Sequence, residues 1–345
     1  MSSSVEKSSG TPSLLTGQNV VYAGIAWAVL SLLFFLLFSA NAPGQERPLW
    51  YMIGTYFLEL FPFLVAAFLC YRNWRSPQIA SGRNVWLGIG LGMICYFLGG
   101  LIFGVWELYW GLNADVSPAD FLYLIVYGCV GWGMVLAVLP RRLNLEAWQW
   151  GTVAVIALVG IALAAWLYFV TPDTSEEADV ASPAPTEQKA ASSKKALAAT
   201  KAPPVKGSAS DKSTASGTDE SNNKTAPSWA TKLGEQLSPL ATPVNLIYII
   251  GDVFLLIIAS TLLLAFWGGR FAQSWRMIAA ATFALYIADM WTKYAAAVEV
   301  QYESGGLLEV FYVFSGVLFA MGAALEYDVS SRSRRGGRKR AEGKP

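Results

Sequence analysis

The sequence predicts an all-α integral membrane protein that crosses the bilayer about eight times. The first observation is the composition: of 345 residues, 54% are apolar and only 14% are charged, and the mean hydropathy is +0.41. Such a chain has too few charged residues to cover a soluble globular surface. The second observation is that the apolar residues are grouped in runs of roughly 20, the length that a helix needs to cross about 30 Å of hydrocarbon.

Eight runs reach this length. They cover residues 21–40, 50–70, 85–106, 121–139, 150–170, 244–267, 276–297 and 307–326. Arginines follow the second, fourth, sixth and eighth runs, whereas the turns after the first, third and seventh runs contain Arg47 as their one basic residue. Because positively charged loops remain in the cytoplasm, we predict that both termini are cytoplasmic.

The runs divide the chain into five parts. These are a cytoplasmic N-terminal segment (1–20), five transmembrane helices (21–170), an extracytoplasmic linker (171–243), three transmembrane helices (244–327) and a basic cytoplasmic tail (328–345). The linker is rich in Ala, Ser, Thr, Lys and Pro and almost free of aromatic residues. This composition is typical of disorder, because it offers too little apolar surface to offset the loss of chain entropy.

A short motif occurs where three of the predicted spans begin. In SPADFLY, Ser117 stands where a helix N-cap is expected, Pro118 at the first helical position and Asp120 three residues after the cap. This is the spacing of a capping box, in which side chains satisfy the unpaired amides of the helix start. Tyr123 follows within one further turn.

The motif is repeated in two later segments. In TPVNLIY the corresponding residues are Thr242, Pro243, Asn245 and Tyr248, and in LLEVFY they are Glu309 and Tyr312. All three copies open spans that enter the membrane from the outside in the predicted topology. The spans therefore form four in-out-in helical hairpins with the same orientation, a parallel internal repeat.

These hairpins, each preceded by a helix with a Trp and a small–acidic pair such as Ala288-Asp289, resemble a known group of membrane regions. They are similar to the multi-pass sensory regions found N-terminal to bacterial diguanylate cyclases and histidine kinases. The resemblance covers residues 20–326 apart from the linker, and it implies a bacterial inner membrane and a role in signalling. Because only the basic tail follows the last predicted span, we expect the output to pass through a separate signalling or membrane-complex partner.

Four ionisable residues fall within predicted spans, where charges are costly and often functional. Glu59 lies near the middle of its span, Asp252 about one third into another, and Asp289 and Lys293 one helical turn apart in a third. We predict that they line a ligand or ion pocket in the outer half of the bundle, with Asp289 and Lys293 able to pair. The alternative is structural: Lys293 neutralises Asp289 or extends to the interface, and Glu59 is protonated and bonded to a hydroxyl.

The tail is predicted to bind anionic lipid headgroups, or alternatively an acidic cytoplasmic partner. Its basic residues in this role are Arg332, Arg334, Arg335, Arg338, Lys339 and Arg340. Nothing in the sequence indicates a nucleic-acid partner.

Several enzyme classes are disfavoured by what the sequence lacks. It has no histidine, which is the usual haem ligand, the commonest metal ligand and the usual general base. It also has no phosphate-binding glycine motif, and its three cysteines are far apart. We therefore predict a non-enzymatic protein without cofactor or metal.

The expected function is a sensor-like or adaptor module that binds a small or lipid-soluble ligand or a membrane partner. Two alternatives remain. One is a secondary transporter or ion-coupled carrier that uses Glu59, Asp252 and Asp289 for proton or cation coupling. The other is a structural or assembly subunit of a membrane complex.

Overall fold

The computed structural model describes residues 16–40, 47–112, 116–139, 146–170, 226–266, 272–298 and 304–342. Within these ranges almost every residue is helical and no strand occurs. The α-helices are α1 (Gly17–Phe38), α2 (Leu49–Arg75), α3 (Arg83–Gly104), α4 (Pro118–Val138), α5 (Ala147–Val170), α6 (Ser228–Leu237), α7 (Ala241–Ala265), α8 (Ala272–Val298) and α9 (Val310–Glu342). A π-helical turn (Val105–Tyr109) extends α3, and short 3₁₀ turns precede α7 and α9.

Seven helical segments in the described part of the chain are long and apolar enough to cross a membrane. They are α1, α2, α3 with its π turn, α4, α5, the continuous α6–α7 segment and the first part of α9. This number is compatible with a multi-pass membrane protein. The remaining predicted span, 276–297, lies in α8, which has 27 residues but carries Arg276, Asp289 and Lys293 and is therefore less apolar.

Six helices pack side by side in a ring. The order around the ring is α2, α3, α4, α7, α8 and α9, and α9 packs back against α2. Outside the ring, α1 packs mainly on α9, and α5 packs mainly on α7. The core is therefore the interior of the ring, to which helices from both halves of the chain contribute.

Two tryptophans fill one end of the ring interior. Trp86 of α3 and Trp275 of α8 are fully buried, and their ring centroids lie 5.9 Å apart. Phe266 stacks on Trp275 with the centroids 5.0 Å apart. We call this the tryptophan end. Arg72 lies at the same end, with its guanidinium carbon 4.0 Å from the centroid of the Tyr327 ring.

The opposite end, which we call the cap end, is where α2, α4, α7 and α9 begin. The start of α2 is joined there to the start of α9: Arg47 donates a 2.6 Å hydrogen bond to the carbonyl of Ser304, and the hydroxyl of Tyr51 donates a 2.7 Å hydrogen bond to the carbonyl of Gly305. All three motif copies lie at this end.

The structure corrects the start of the second motif copy. The helix α6 and the 3₁₀ turn lead directly into α7, which begins at Ala241, so Thr242 and Pro243 lie in the first helical turn and the predicted N-cap position of Thr242 is wrong. Proline is tolerated there because the amides of a first turn need no helical partner.

The same finding corrects the linker boundary. Residues 228–243, predicted as part of a disordered segment, are helical. Ala230 is fully buried, and Trp229 packs edge-on against Trp110 with the centroids 5.1 Å apart. These apolar contacts supply the stabilisation that the composition of the linker did not indicate. Residues 171–225 of the linker lie outside the described residues.

Candidate functional site

The cap end of the ring contains a polar cavity of about 230 Å³. All six ring helices contribute to its lining. Its tyrosines are Tyr56, Tyr96, Tyr123, Tyr127, Tyr248 and Tyr312, and its carboxylates are Glu59, Asp120, Asp289 and Glu309. Among the described lining residues, Lys293 is the one cation. The cavity is thus an acidic, tyrosine-rich site.

Three of the four ionisable residues predicted within spans line this cavity: Glu59, Asp289 and Lys293. The fourth, Asp252, is 1% exposed and lies behind the wall. Tyr127 joins it to the site, because its hydroxyl lies 2.7 Å from Asp252 Oδ1 and 3.1 Å from Asp289 Oδ2. The structure therefore brings together residues from α2, α7 and α8 that are far apart in the sequence.

The sequence allowed Asp289 and Lys293 to pair, but in the structure the two side chains have different contacts. Asp289 Oδ1 accepts a 2.9 Å hydrogen bond from Tyr312, and the hydroxyl of Tyr127 lies 3.1 Å from Asp289 Oδ2. The Lys293 ammonium lies 4.3 Å from the centroid of the Tyr248 ring. The tyrosine hydroxyls occupy both oxygens of Asp289, and the face of an aromatic ring attracts the ammonium.

Two motif acids cap helices while facing the cavity. The backbone amide of Ser117 donates to Asp120 Oδ2 at 2.6 Å, and the Ser117 hydroxyl donates to the same oxygen at 3.1 Å. Glu309 accepts hydrogen bonds from the amides of Gly305 and Gly306 at 2.7 and 2.9 Å. Each acid therefore performs the role expected of the third position in a capping box, with Pro118 at the first helical position of α4.

The motif residues also connect the copies to each other. The hydroxyl of Tyr248 donates to Asp120 Oδ1 at 2.7 Å, which joins the second copy to the acid of the first copy. Tyr123 and Asn245 line the cavity as well, and Asn245 is exposed. Thr242 and Pro243 are exposed and do not line it.

Glu59 is the least constrained carboxylate of the cavity. Its Oε1 accepts a 2.6 Å hydrogen bond from the hydroxyl of Tyr96, whose ring stacks on Phe63 at 3.8 Å. No second hydrogen bond to Glu59 is present in the described part of the chain. Its other carboxylate oxygen is available to a molecule in the cavity.

Sequence reasoning missed Tyr56, Tyr96, Tyr127 and Glu107. The hydroxyl of Tyr56 donates to Glu107 Oε2 at 2.5 Å. Glu107 reaches it from the π turn, a feature that often occurs at functional sites but that no residue pattern here predicts. The sequence could have indicated Tyr127, because it follows the motif tyrosine Tyr123 by one helical turn and therefore lies on the same face of the helix.

The backbone of the basic tail is helical over most of its length. The helix α9 continues to Glu342, so residues 328–342 extend the last helix. The side chains of the six tail residues named above lie outside the described residues.

Comparison of the chain with protein-family models, with curated protein sequences and with solved structures found no match. The fold and the site define the class: an all-helical protein compatible with several membrane crossings, with one acidic, tyrosine-lined cavity inside its helical ring.

Proposed function

We propose that this protein is a non-enzymatic, sensor-like membrane protein that binds a small ligand in the cavity at the cap end. The observation that supports this most is that residues of all six ring helices meet in one cavity. A ligand held there contacts both halves of the chain. It can therefore shift the equilibrium between two arrangements of the ring, provided that it binds one of them more tightly.

The size of the cavity limits the ligand. At about 230 Å³ it is smaller than the roughly 300–1,000 Å³ of sites for drug-sized molecules. The ligand therefore has few non-hydrogen atoms. Its polar contacts would come from Glu59 and the other carboxylates, and its apolar contacts from tyrosine rings.

A continuous helix offers a route for the signal. Tyr312 of α9 lines the cavity, and the same helix continues through the basic tail to Glu342. In this proposal a change in the position of α9 is passed to the tail, which contacts anionic headgroups and a separate signalling partner.

The proposal includes an eight-span topology, in which α8 joins the seven apolar segments as a further span, with four in-out-in hairpins and cytoplasmic termini in a bacterial inner membrane. Packing of α8 between α7 and α9 supports its membrane location. The clustering of Arg72, Arg83 and Arg276 at the tryptophan end supports a cytoplasmic position for that end.

The test is native mass spectrometry of the full chain extracted gently from its own membrane. We expect the wild-type protein to retain a small molecule. Val126→Phe should lose it, because Val126 is buried in the cavity wall and the added ring fills the space. The control is Val155→Phe, at a position 59% exposed on α5, which should retain the molecule. Absence of a bound molecule in all variants, or equal retention in Val126→Phe, would contradict the proposal.

An ion-coupled carrier is the second candidate, and the contact of Tyr127 with both Asp252 and Asp289 favours it. One hydroxyl has one proton, so two simultaneous hydrogen bonds require a proton on one of the acids. Such an arrangement can exchange a proton. A carrier would lose proton-coupled uptake in reconstituted vesicles on Asp252→Asn, whereas a sensor would show no uptake with either form.

A stoichiometric protein partner in the mass spectra, with no small molecule, would instead favour an assembly subunit.

A further inference from the structure

The cavity has an excess of negative charge. Four carboxylates line it, against the ammonium of Lys293 alone in the described lining. Unbalanced charges at membrane depth are unfavourable and have to be neutralised by protons or by a cation. A positively charged ligand would supply that balance.

The hydroxyl groups of the lining tyrosines are largely committed. Five of them donate to carboxylates: Tyr56 to Glu107, Tyr96 to Glu59, Tyr127 to Asp252, Tyr248 to Asp120, and Tyr312 to Asp289. A ligand in the cavity therefore meets ring surfaces and carboxylate oxygens, with few free donors. This surface disfavours an anion, which needs donors, and favours a cation, because aromatic faces are electronegative.

The protein already holds one ammonium against this wall. The Lys293 Nζ lies 4.3 Å from the centroid of the Tyr248 ring, well within the roughly 6 Å over which cation–π attraction acts. Tyr248 itself is fixed by its hydrogen bond to Asp120. The wall is thus a preformed contact surface for an ammonium group.

From these observations we infer that the ligand is a small organic cation with an ammonium group, and that Lys293 is a built-in competitor for the same surface. The inference rests on the proposed ligand-binding function. A metal cation fits less well, because within the described ranges no three His, Cys, Asp or Glu side chains are placed so that they could hold one metal ion together. The aromatic rings provide the contacts that alkyl groups on a quaternary or primary ammonium would use.

The competition has a consequence that misfolding cannot imitate. Substitution of Lys293 by Met removes the internal ammonium and leaves an unbranched side chain that is one atom shorter. The substitution increases the charge excess of the cavity and exposes the Tyr248 ring to a ligand. Binding of an external cation should therefore become tighter.

The experiment is isothermal titration calorimetry of the full chain in lipid nanodiscs with choline, tetramethylammonium and 3,3-dimethylbutan-1-ol, the uncharged analogue of choline. We expect saturable binding of at least one ammonium and binding of the uncharged analogue that is at least about tenfold weaker. Lys293→Met should tighten the binding of the ammonium by about threefold to tenfold, and Tyr248→Leu should weaken it by a similar factor. Lys232→Met, at an exposed position of α6, is the matched control and should leave it unchanged.

The inference is overturned if neither ammonium binds, if the uncharged analogue binds equally well, or if Lys293→Met weakens binding. In each of these cases the mass-spectrometry test decides separately on the proposed function. If the protein retains a neutral or anionic molecule, the proposed ligand-binding function is supported and only the inference that the ligand is a cation is rejected. If neither the wild-type protein nor any variant retains a molecule, both the proposed function and the inference about its ligand are rejected.

Discussion

Trp27 compensates for a proline inside the apolar helix α2. Pro62 lies within α2 and has no amide to donate to the carbonyl of Leu58, four residues earlier. The indole of Trp27 on α1 donates a 3.0 Å hydrogen bond to that carbonyl. A polar group freed by proline in an apolar environment needs such a partner. This contact attaches α1 to the ring through an identifiable hydrogen bond.

Replacement of Trp27 by Phe should therefore destabilise the protein. The aromatic packing against Phe61 is largely retained, but the carbonyl of Leu58 loses its donor. We expect the free energy of unfolding to fall by about 1 kcal/mol, measured by denaturation in mixed micelles.

Trp148→Phe is the control for this substitution. Its indole also donates a hydrogen bond, to Glu146 at 2.6 Å, but the side chain is 60% exposed. The control should change the free energy of unfolding by less than about 0.5 kcal/mol. An equal effect of both substitutions would show that the proline-freed carbonyl has no special need of Trp27.

Helices α3 and α4 bring their backbones into close contact at two glycines. A Cβ atom added at Gly133 would lie 2.8 Å from the carbonyl oxygen of Val85 and 2.9 Å from the amide nitrogen of Ile89. A Cβ atom added at Gly88 would lie 2.9 Å from the carbonyl oxygen of Cys129. Backbone atoms cannot move aside as a flexible side chain does. Small residues therefore allow these helices to approach closely.

Gly133→Ala should separate α3 from α4 and lower the free energy of unfolding by about 1–3 kcal/mol. The matched control is Gly128→Ala on the same helix, where an added Cβ has no atom within 4 Å. That substitution should leave stability unchanged or raise it by up to about 1 kcal/mol, because alanine favours the helix. Denaturation of the two variants measures the difference, and a loss of stability in both would contradict the close-contact interpretation.

The complete bundle has two chemically different ends. Buried Trp86 and Trp275 close one end, near the arginines, while the other contains the starts of α2, α4, α7 and α9 and the acidic cavity. Every motif copy lies at the cap end because α4, α7 and α9 all begin there. If the bundle spans a membrane with the predicted orientation, the cavity opens toward the outside.

Cysteine labelling measures that orientation. The three natural cysteines are free and can be replaced by serine to give a cysteine-free background. Tyr109→Cys at the cap end and Leu139→Cys at the tryptophan end are matched, since both native side chains are 70% exposed. An impermeant maleimide should label Tyr109→Cys in intact cells and Leu139→Cys only after the membrane is opened. The reverse pattern would place the cavity on the cytoplasmic side.

Hydropathy and capping residues predict most of the helices, because both act through neighbours within a few residues. The predicted all-α class is confirmed within the described residues, and the cap at Ser117 and Asp120 forms in α4. The same local reasoning wrongly placed the N-cap of α7 at Thr242. There the contact between Trp229 and Trp110, more than 100 residues apart in sequence, stabilises helix upstream of the predicted start.

Residue types marked Glu59, Asp289 and Lys293 as unusual, since charges within apolar runs are visible without any structure. The hydrogen-bond partners of the acidic residues could not be predicted from the sequence. Tyr248 reaches Asp120, and Tyr127 reaches Asp252 and Asp289, because the ring order places α4 beside α7 and α8 next to α7. Local patterns specify where a helix forms and which of its residues are polar. Which tyrosine meets which carboxylate depends on the packing of helices distant in the chain, so only the folded ring decided the chemistry of the cavity.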